Sequence, residues 1–288
     1  MRHVSAELYA TPSTTSSSPV TVGAAPASRS HPEPVRPPSA PRPGLHLADG
    51  SRATPVGSSS TTVRIAERPA PRFSDDELAA LDARHANSPA STIIRWAVQA
   101  FGSRLCLTSS MQDTVLIDLA VKVDPDIEVI FLDTGYHFPE TLDTAARVKA
   151  RYGLRLVVPP APLPLDDQWM DDPDACCAAR KVAPLERALA GRSAWLTGLR
   201  RAETAARSAA PVISRDKRGL VKINPIASWS DTDVAGYAAD HDLITNPLLA
   251  QGYPSIGCWP CTRQVANGED PRAGRWTGFV KTECGLHE

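Results

Sequence analysis

The chain has 288 residues, of which 31 are basic and 32 acidic, and 42% are apolar, enough for a sizeable core. That balance gives no support to nucleic acid as a partner, and no run approaches the roughly 20 apolar residues of a membrane span. The six cysteines are bunched and no hydrophobic signal segment precedes them, which argues against an exported disulfide framework. Metal or redox chemistry in a reducing compartment, the cytoplasm, is the expectation.

Residues 1–72 hold 12 of the 27 prolines and 12 serines, with no Trp, Phe or Cys. Such a segment buries too little apolar surface to offset its ordering entropy, so a disordered tail is expected there and a folded domain over 73–288. Its 8 arginines against 4 acidic residues resemble an organellar transit peptide, but the dense proline opposes the amphipathic helix such peptides need.

Structure opens with a capping box, Ser74-Asp-Asp-Glu77, followed by Leu78 and Leu81 at helical spacing. A second helix fits Ala90–Gln99. Short apolar runs then recur at Arg104–Thr108, Ile127–Leu132, Leu154–Val158, Ala194–Leu199 and Leu220–Ile223, with helical periodicity over Thr114–Val123 and Pro139–Tyr152. Strand and helix in alternation predict an α/β fold, a mostly parallel sheet with helices on both faces. Ligands of such sheets bind beyond the carboxyl ends of the strands, where Thr108-Ser109-Ser110 and Asp133-Thr134-Gly135 are expected as anion-facing loops. Past residue 224 the alternation stops; a helix capped by Ser230 runs to about Asp242, and a Pro-, Asn- and Gly-rich loop from Thr245 to Gly257 delivers the chain to Cys258.

The cysteines fall as an adjacent pair, Cys176-Cys177, a Cys258-Trp-Pro-Cys261 pair, a single Cys284 and Cys106, which sits in an apolar run and reads as core. Four thiolates suit either zinc or an iron–sulfur cluster. Adjacent side chains on a helix diverge by roughly 100°, so Cys176 and Cys177 reach one target only if that target is large or the backbone is distorted.

Several stretches together resemble the assimilatory sulfonucleotide reductases: Thr108-Ser-Ser-Met-Gln-Asp113, Phe131-Leu-Asp-Thr-Gly-Tyr-His-Phe-Pro-Glu140, Cys176-Cys-Ala-Ala-Arg-Lys181, Gly198-Leu-Arg-Arg201, Lys222-Ile-Asn-Pro-Ile226 and, most specifically, Lys281-Thr-Glu-Cys-Gly-Leu-His287. The resemblance implies a fold similar to the adenine nucleotide alpha hydrolases, with a loop-built C-terminal cluster-binding region. ATP-cleaving relatives carry a Ser-Gly-Gly-x-Asp-Ser loop where this chain has Ser109-Ser-Met-Gln-Asp113, which fits binding without pyrophosphate cleavage.

Members of that family with both cysteine pairs hold a [4Fe-4S] cluster and use adenylyl sulfate (APS), while users of the 3′-phosphorylated form (PAPS) lack both pairs. The resemblance therefore implies one cluster on Cys176, Cys177, Cys258 and Cys261, and reduction of APS to sulfite and AMP through a sulfonated Cys284. Substrate contacts are expected from Ser109, Ser110, Asp133, Thr134, Gly135, Lys181, Arg207, Arg272, Arg275 and His287, with Arg200 and Arg201 as weaker candidates. Lys281 and His287 flank Cys284 and are expected to favour its thiolate. The chain stops at Glu288 without the thioredoxin-like domain of the plant enzymes, so external thioredoxin is the expected reductant. PAPS or dual specificity, a zinc-stabilised nucleotide-binding module and a sulfur-transferring tRNA-modifying enzyme are the competing readings; the last is expected to keep an ATP-cleaving loop and a basic surface. A homo-oligomer is compatible with the sequence.

Overall fold

The computed structural model describes residues 71–159 and 164–286. The proline-rich segment up to residue 70 and His287 lie outside the described residues.

The first helix, α1 (Asp75–His85), starts as its sequence requires: Ser74 N donates to Glu77 Oε2 at 2.7 Å and Glu77 N to Ser74 Oγ at 3.2 Å. It is followed by α2 (Ala90–Phe101), β1 (Leu105–Thr108), α3 (Val115–Val121), β2 (Glu128–Ile130), α4 (Pro139–Tyr152) and β3 (Arg155–Val157). The second half adds α5 (Gln168–Asp171), α6 (Pro173–Cys177), α7 (Ala183–Leu189), β4 (Ala194–Thr197), β5 (Ile213–Arg215), β6 (Val221–Ile223) and α8 (Asp231–Asp240). All five apolar runs form strands, each strand shorter than its run.

The six strands are ordered β3-β2-β1-β4-β6-β5, parallel except for β5, which pairs antiparallel with β6. The sequence reading missed β5. It has a single apolar residue, and α1 holds it in place: Asp82 Oδ1 accepts from the amides of Val212 and Ile213 at 2.6 and 3.0 Å.

Alternation along the strands divides the interior in two. Leu105, Leu107, Val129, Ala194, Leu196, Val221 and Ile223 face a large core with Ile93, Ile94 and Ala97 of α2, Val115 and Leu116 of α3, and Val148 of α4. Cys106, Ile130 and Trp195 face the other way, onto Leu185 and Leu189 of α7. Helices therefore cover both faces, and each fully buried Leu or Ile contributes about 1.5–3 kcal/mol. No described helix is long and apolar enough to cross a membrane.

After β3 the chain returns to place β4 on the opposite side of β1. The loops leaving β1 and β4 diverge there, which opens a crevice at the carboxyl edge of the sheet.

Candidate active site

A cavity of about 220 Å³ fills that crevice. Its floor is the strand ends: Thr108–Ser110 after β1, Phe131, Leu132 and Thr134 after β2, and Thr197–Leu199 after β4. Lys181, Arg207, Arg272, Arg275, Trp276 and Cys284 form its walls. Of the expected substrate residues, Ser109, Ser110, Thr134, Lys181, Arg207, Arg272 and Arg275 line it, whereas Asp133 and Gly135 do not. Asp133 Oδ1 instead accepts from Gly135 N at 2.8 Å, closing a tight turn, and Gly135 (φ +80°) turns toward Leu165 and Arg180.

The loop after β1 keeps an unusual backbone. Met111 is left-handed (φ 59°) and fully buried, at the third position of the segment that ATP-cleaving relatives fill with glycine. Ser109 Oγ accepts from Met111 N at 3.1 Å, so this hydroxyl shapes its own loop. Sequence reasoning passed over Asp113, which also lines the cavity and whose carboxyl is pushed up by burial.

The four paired cysteines meet around a second, small cavity of about 10 Å³, with Tyr136, Trp169, Arg180 and Lys181. Cys176 and Cys177 end α6, and the chain continues through a π-helical turn, Ala178–Val182, into α7. That widened turn is a backbone distortion immediately after the adjacent pair, one of the two conditions set out for both thiols to reach one target. Cys258 is tied to the loop after β2: Trp259 N donates to Tyr136 O at 2.8 Å, His137 bridges Cys258, and Thr134 Oγ1 lies 3.3 Å from Cys258 Sγ. All six cysteines are free thiols. Burial, reinforced by Cys177 and Cys258, pushes the Cys176 thiol up to about 11, and burial with Cys258 pushes Cys261 to about 12. Among the described residues no three His, Cys, Asp or Glu side chains converge as a single ion needs.

Lys181 and Cys258 belong to both cavities. Burial works to lower the lysine's pKa, but the thiols of Cys258, Cys284 and Cys177 outweigh it and hold the pKa above the ordinary lysine value. Lys181 is therefore held as a cation in the cavity that Cys284 also lines. Lys281, expected in that role, instead binds Asp174 on α6 and lies 5.5 Å from the Trp276 ring.

The C-terminal arginines stand on a loop closed by a bridge between Thr262 and Arg275. Arg275 donates to Ser255 Oγ at 3.1 Å and Ile256 O at 3.3 Å, with its guanidinium 4.5 Å from the Trp276 ring. Arg275 Nε and Trp276 Nε1 are buried N–H donors with no partner among the described residues. Arg272 donates to Thr282 O at 2.8 Å. Arg207 Nε and Nη2 reach Glu283 at 2.8 and 2.5 Å, and its Nη1 binds Glu203. Arg200 pairs with Asp231 at 2.7 Å and Arg201 donates to Ala210 O at 2.8 Å, so both are engaged in structure. Cys106 is fully buried within β1, with its thiol pushed up to about 12 by burial.

A switch-point cavity walled by arginines, a buried lysine and an accessible thiol defines a nucleotide-binding α/β enzyme equipped for sulfur chemistry. The comparisons narrow this class. Residues 104–264 match the phosphoadenosine phosphosulfate reductase domain, and the chain belongs to that family. It is 51% identical over 210 residues to the adenosine 5′-phosphosulfate reductase of Streptomyces coelicolor, covering 70% of this chain and 89% of that one. Against the enzyme of the same name from Mycobacterium tuberculosis the identity is 43% over 246 residues, covering 75% and 97%. A crystal structure of the phosphoadenylyl-sulfate reductase of Candida auris, a phosphate complex, superposes with a TM-score of 0.60 at 30% identity, covering 66% of this chain and 98% of that one.

Proposed function

We propose that this protein reduces adenosine 5′-phosphosulfate to sulfite and AMP, with Cys284 as nucleophile and a dithiol protein of the thioredoxin class as reductant, in the cytoplasm. The observation that carries the reading is that Cys284 and the cations Lys181, Arg272 and Arg275 wall one cavity at the sheet's switch point. Relatives named for this activity match most of their own length to the chain.

The nucleotide sits over the loops after β1 and β4, with its phosphosulfate toward the cationic wall. Arg275 Nε and Trp276 Nε1 supply donors that have no partner among the described residues. The Cys284 thiolate attacks the sulfate sulfur; an S–S bond forms, the S–O bond to the phosphate breaks, and AMP leaves with the electron pair. Lys181 offsets the charge of the two approaching anions. A thiolate of the reductant then attacks Cys284 Sγ and expels sulfite, and the reductant's second thiol resolves the mixed disulfide. Two electrons pass from the dithiol to sulfur. Cys106 is too deeply buried to act as an internal second thiol, which supports an external one.

We assign Cys176, Cys177, Cys258 and Cys261 to one [4Fe-4S] cluster. The donor set fits: four free thiols share one cavity, two of them on a helix locally widened to a π turn. Bound there, the cluster supplies a fixed charge beside Lys181 and a covalent tie between α6 and the loop at Cys258.

Cys284→Ser tests the reaction. Sulfite release should fall to background with AMP affinity and the cluster spectrum retained, and wild type incubated with APS alone should gain one sulfonate on the Cys284 peptide. Turnover by the serine variant, or sulfonate on another cysteine, overturns the assignment.

A further inference from the structure

The tail that carries Cys284 is docked at three points. Lys281 binds Asp174, Leu286 packs against the cluster of Cys106, Leu185 and Trp195, and between them Glu283 enters the cationic wall. Glu283 accepts both Arg207 bonds described above and one from Thr204 Oγ1 at 3.4 Å, and lies 3.5 Å from Arg272 Nη2. With Glu203 on Nη1, every nitrogen of the Arg207 fork faces a carboxylate. The cavity's own cations are thus engaged by an anion from the residue preceding the nucleophile.

We propose that Glu283 is a positioning residue that competes with the substrate: its carboxylate occupies the Arg207–Arg272 cradle, seats Cys284 on the cavity wall, and yields those arginines to the substrate's anion. The inference rests on the reading of these arginines as anion-binding. A carboxylate gripped by a planar guanidinium fork is a close geometric substitute for a sulfate or phosphate edge. The glutamate's pKa agrees: burial opposes ionisation, but Arg207 and Arg272 outweigh it and hold the carboxyl below the ordinary glutamate value.

Three measurements on the full, cluster-loaded chain test this, with Glu283→Gln against wild type and Glu283→Asp. First, alkylation of Cys284 by iodoacetamide, read by peptide mass without nucleotide, should be about tenfold faster in the glutamine variant. Glu283→Asp, which keeps the charge, should recover most of the protection. Second, AMP affinity by calorimetry should rise severalfold in Glu283→Gln, because a competitor has gone, and an unchanged affinity would overturn the competition. Third, sulfonation of Cys284 by APS in a single turnover should slow, splitting a lower kcat from an equal or lower KM. Unchanged alkylation in Glu283→Gln, or AMP affinity falling together with rate and not rescued by Glu283→Asp, overturns the proposal. AMP binding by Arg272→Ala separates the two readings: wild-type affinity there would sink the anion cradle itself, whatever Glu283 does.

Discussion

Gly257→Ala isolates the role of Arg275 without touching it. Gly257 has no left-handed backbone requirement, so alanine costs the main chain nothing, but a Cβ there would stand 2.2 Å from Arg275 Nη2, 2.6 Å from Cζ and 3.1 Å from Nε. The guanidinium must swing off its seat on Ser255 Oγ and Ile256 O. Water recovers most of those two bonds for a cation moved outward, so the expected stability loss is only about 1 kcal/mol. The substrate cannot recover its partner: a fork-to-oxyanion contact shielded from water is worth about 3 kcal/mol, and at about 1.4 kcal/mol per tenfold the loss lowers kcat/KM about 100-fold. Steady-state APS reduction gives that ratio, thermal unfolding gives the stability, and the visible spectrum checks that the cluster proposed at the neighbouring Cys258 is undisturbed. Added to Arg275→Ala, the substitution should have little further effect, since its target is gone. A kcat/KM within threefold of wild type in an intact Gly257→Ala protein would refute the placement of Arg275 at the substrate.

Anaerobically purified protein should carry about four iron and four sulfide per chain, and Cys176→Ala or Cys261→Ala should lose them; stoichiometric zinc without iron refutes the cluster. Lys222 on β6 is buried, and burial, opposed by Asp216 but aided by Arg207, lowers its pKa from 10.5 to about 8. Below pH 8 both folded and unfolded chains hold this proton and the penalty of burying the charge is constant; between pH 8 and 10.5 only the unfolded chain holds it, so stability rises with pH. Relative to Lys222→Met, wild type should gain about 3 kcal/mol across that window in denaturant titrations, and a flat difference would show that the lysine is not desolvated.

What the sequence made legible was periodicity and punctuation. Apolar runs of strand length placed β1, β2, β3, β4 and β6, and Ser74 and Ser230 placed two helix starts, because alternation and capping are written in consecutive residues. β5 was not legible: Ile213-Ser-Arg215 has no run, and its edge is completed by Asp82 from 130 residues away. The same limit applies at the site. The sequence says of Arg207 only that a cation is there; that its fork closes on Glu283, 76 residues on, depends on how the tail docks. The π turn after Cys177 has no residue signature either, and the two adjacent cysteines pointed to it only as one of two possibilities. Asp133 and Gly135 show a further limit: residue type and loop position do not reveal that the Asp133 carboxylate accepts from the Gly135 amide and so helps build the loop.

The partition between the two cavities is one residue thick, since Lys181 and Cys258 face both. Ser255 and Gly257, which seat Arg275, come immediately before Cys258 in the chain. Disturbance of the four-thiol site, as by oxidation of its cysteines, would therefore register first as a weakened hold on nucleotide, long before the sheet itself gives way. On the proposed assignment of those four thiols, nucleotide affinity would double as a gauge of the integrity of the site they form.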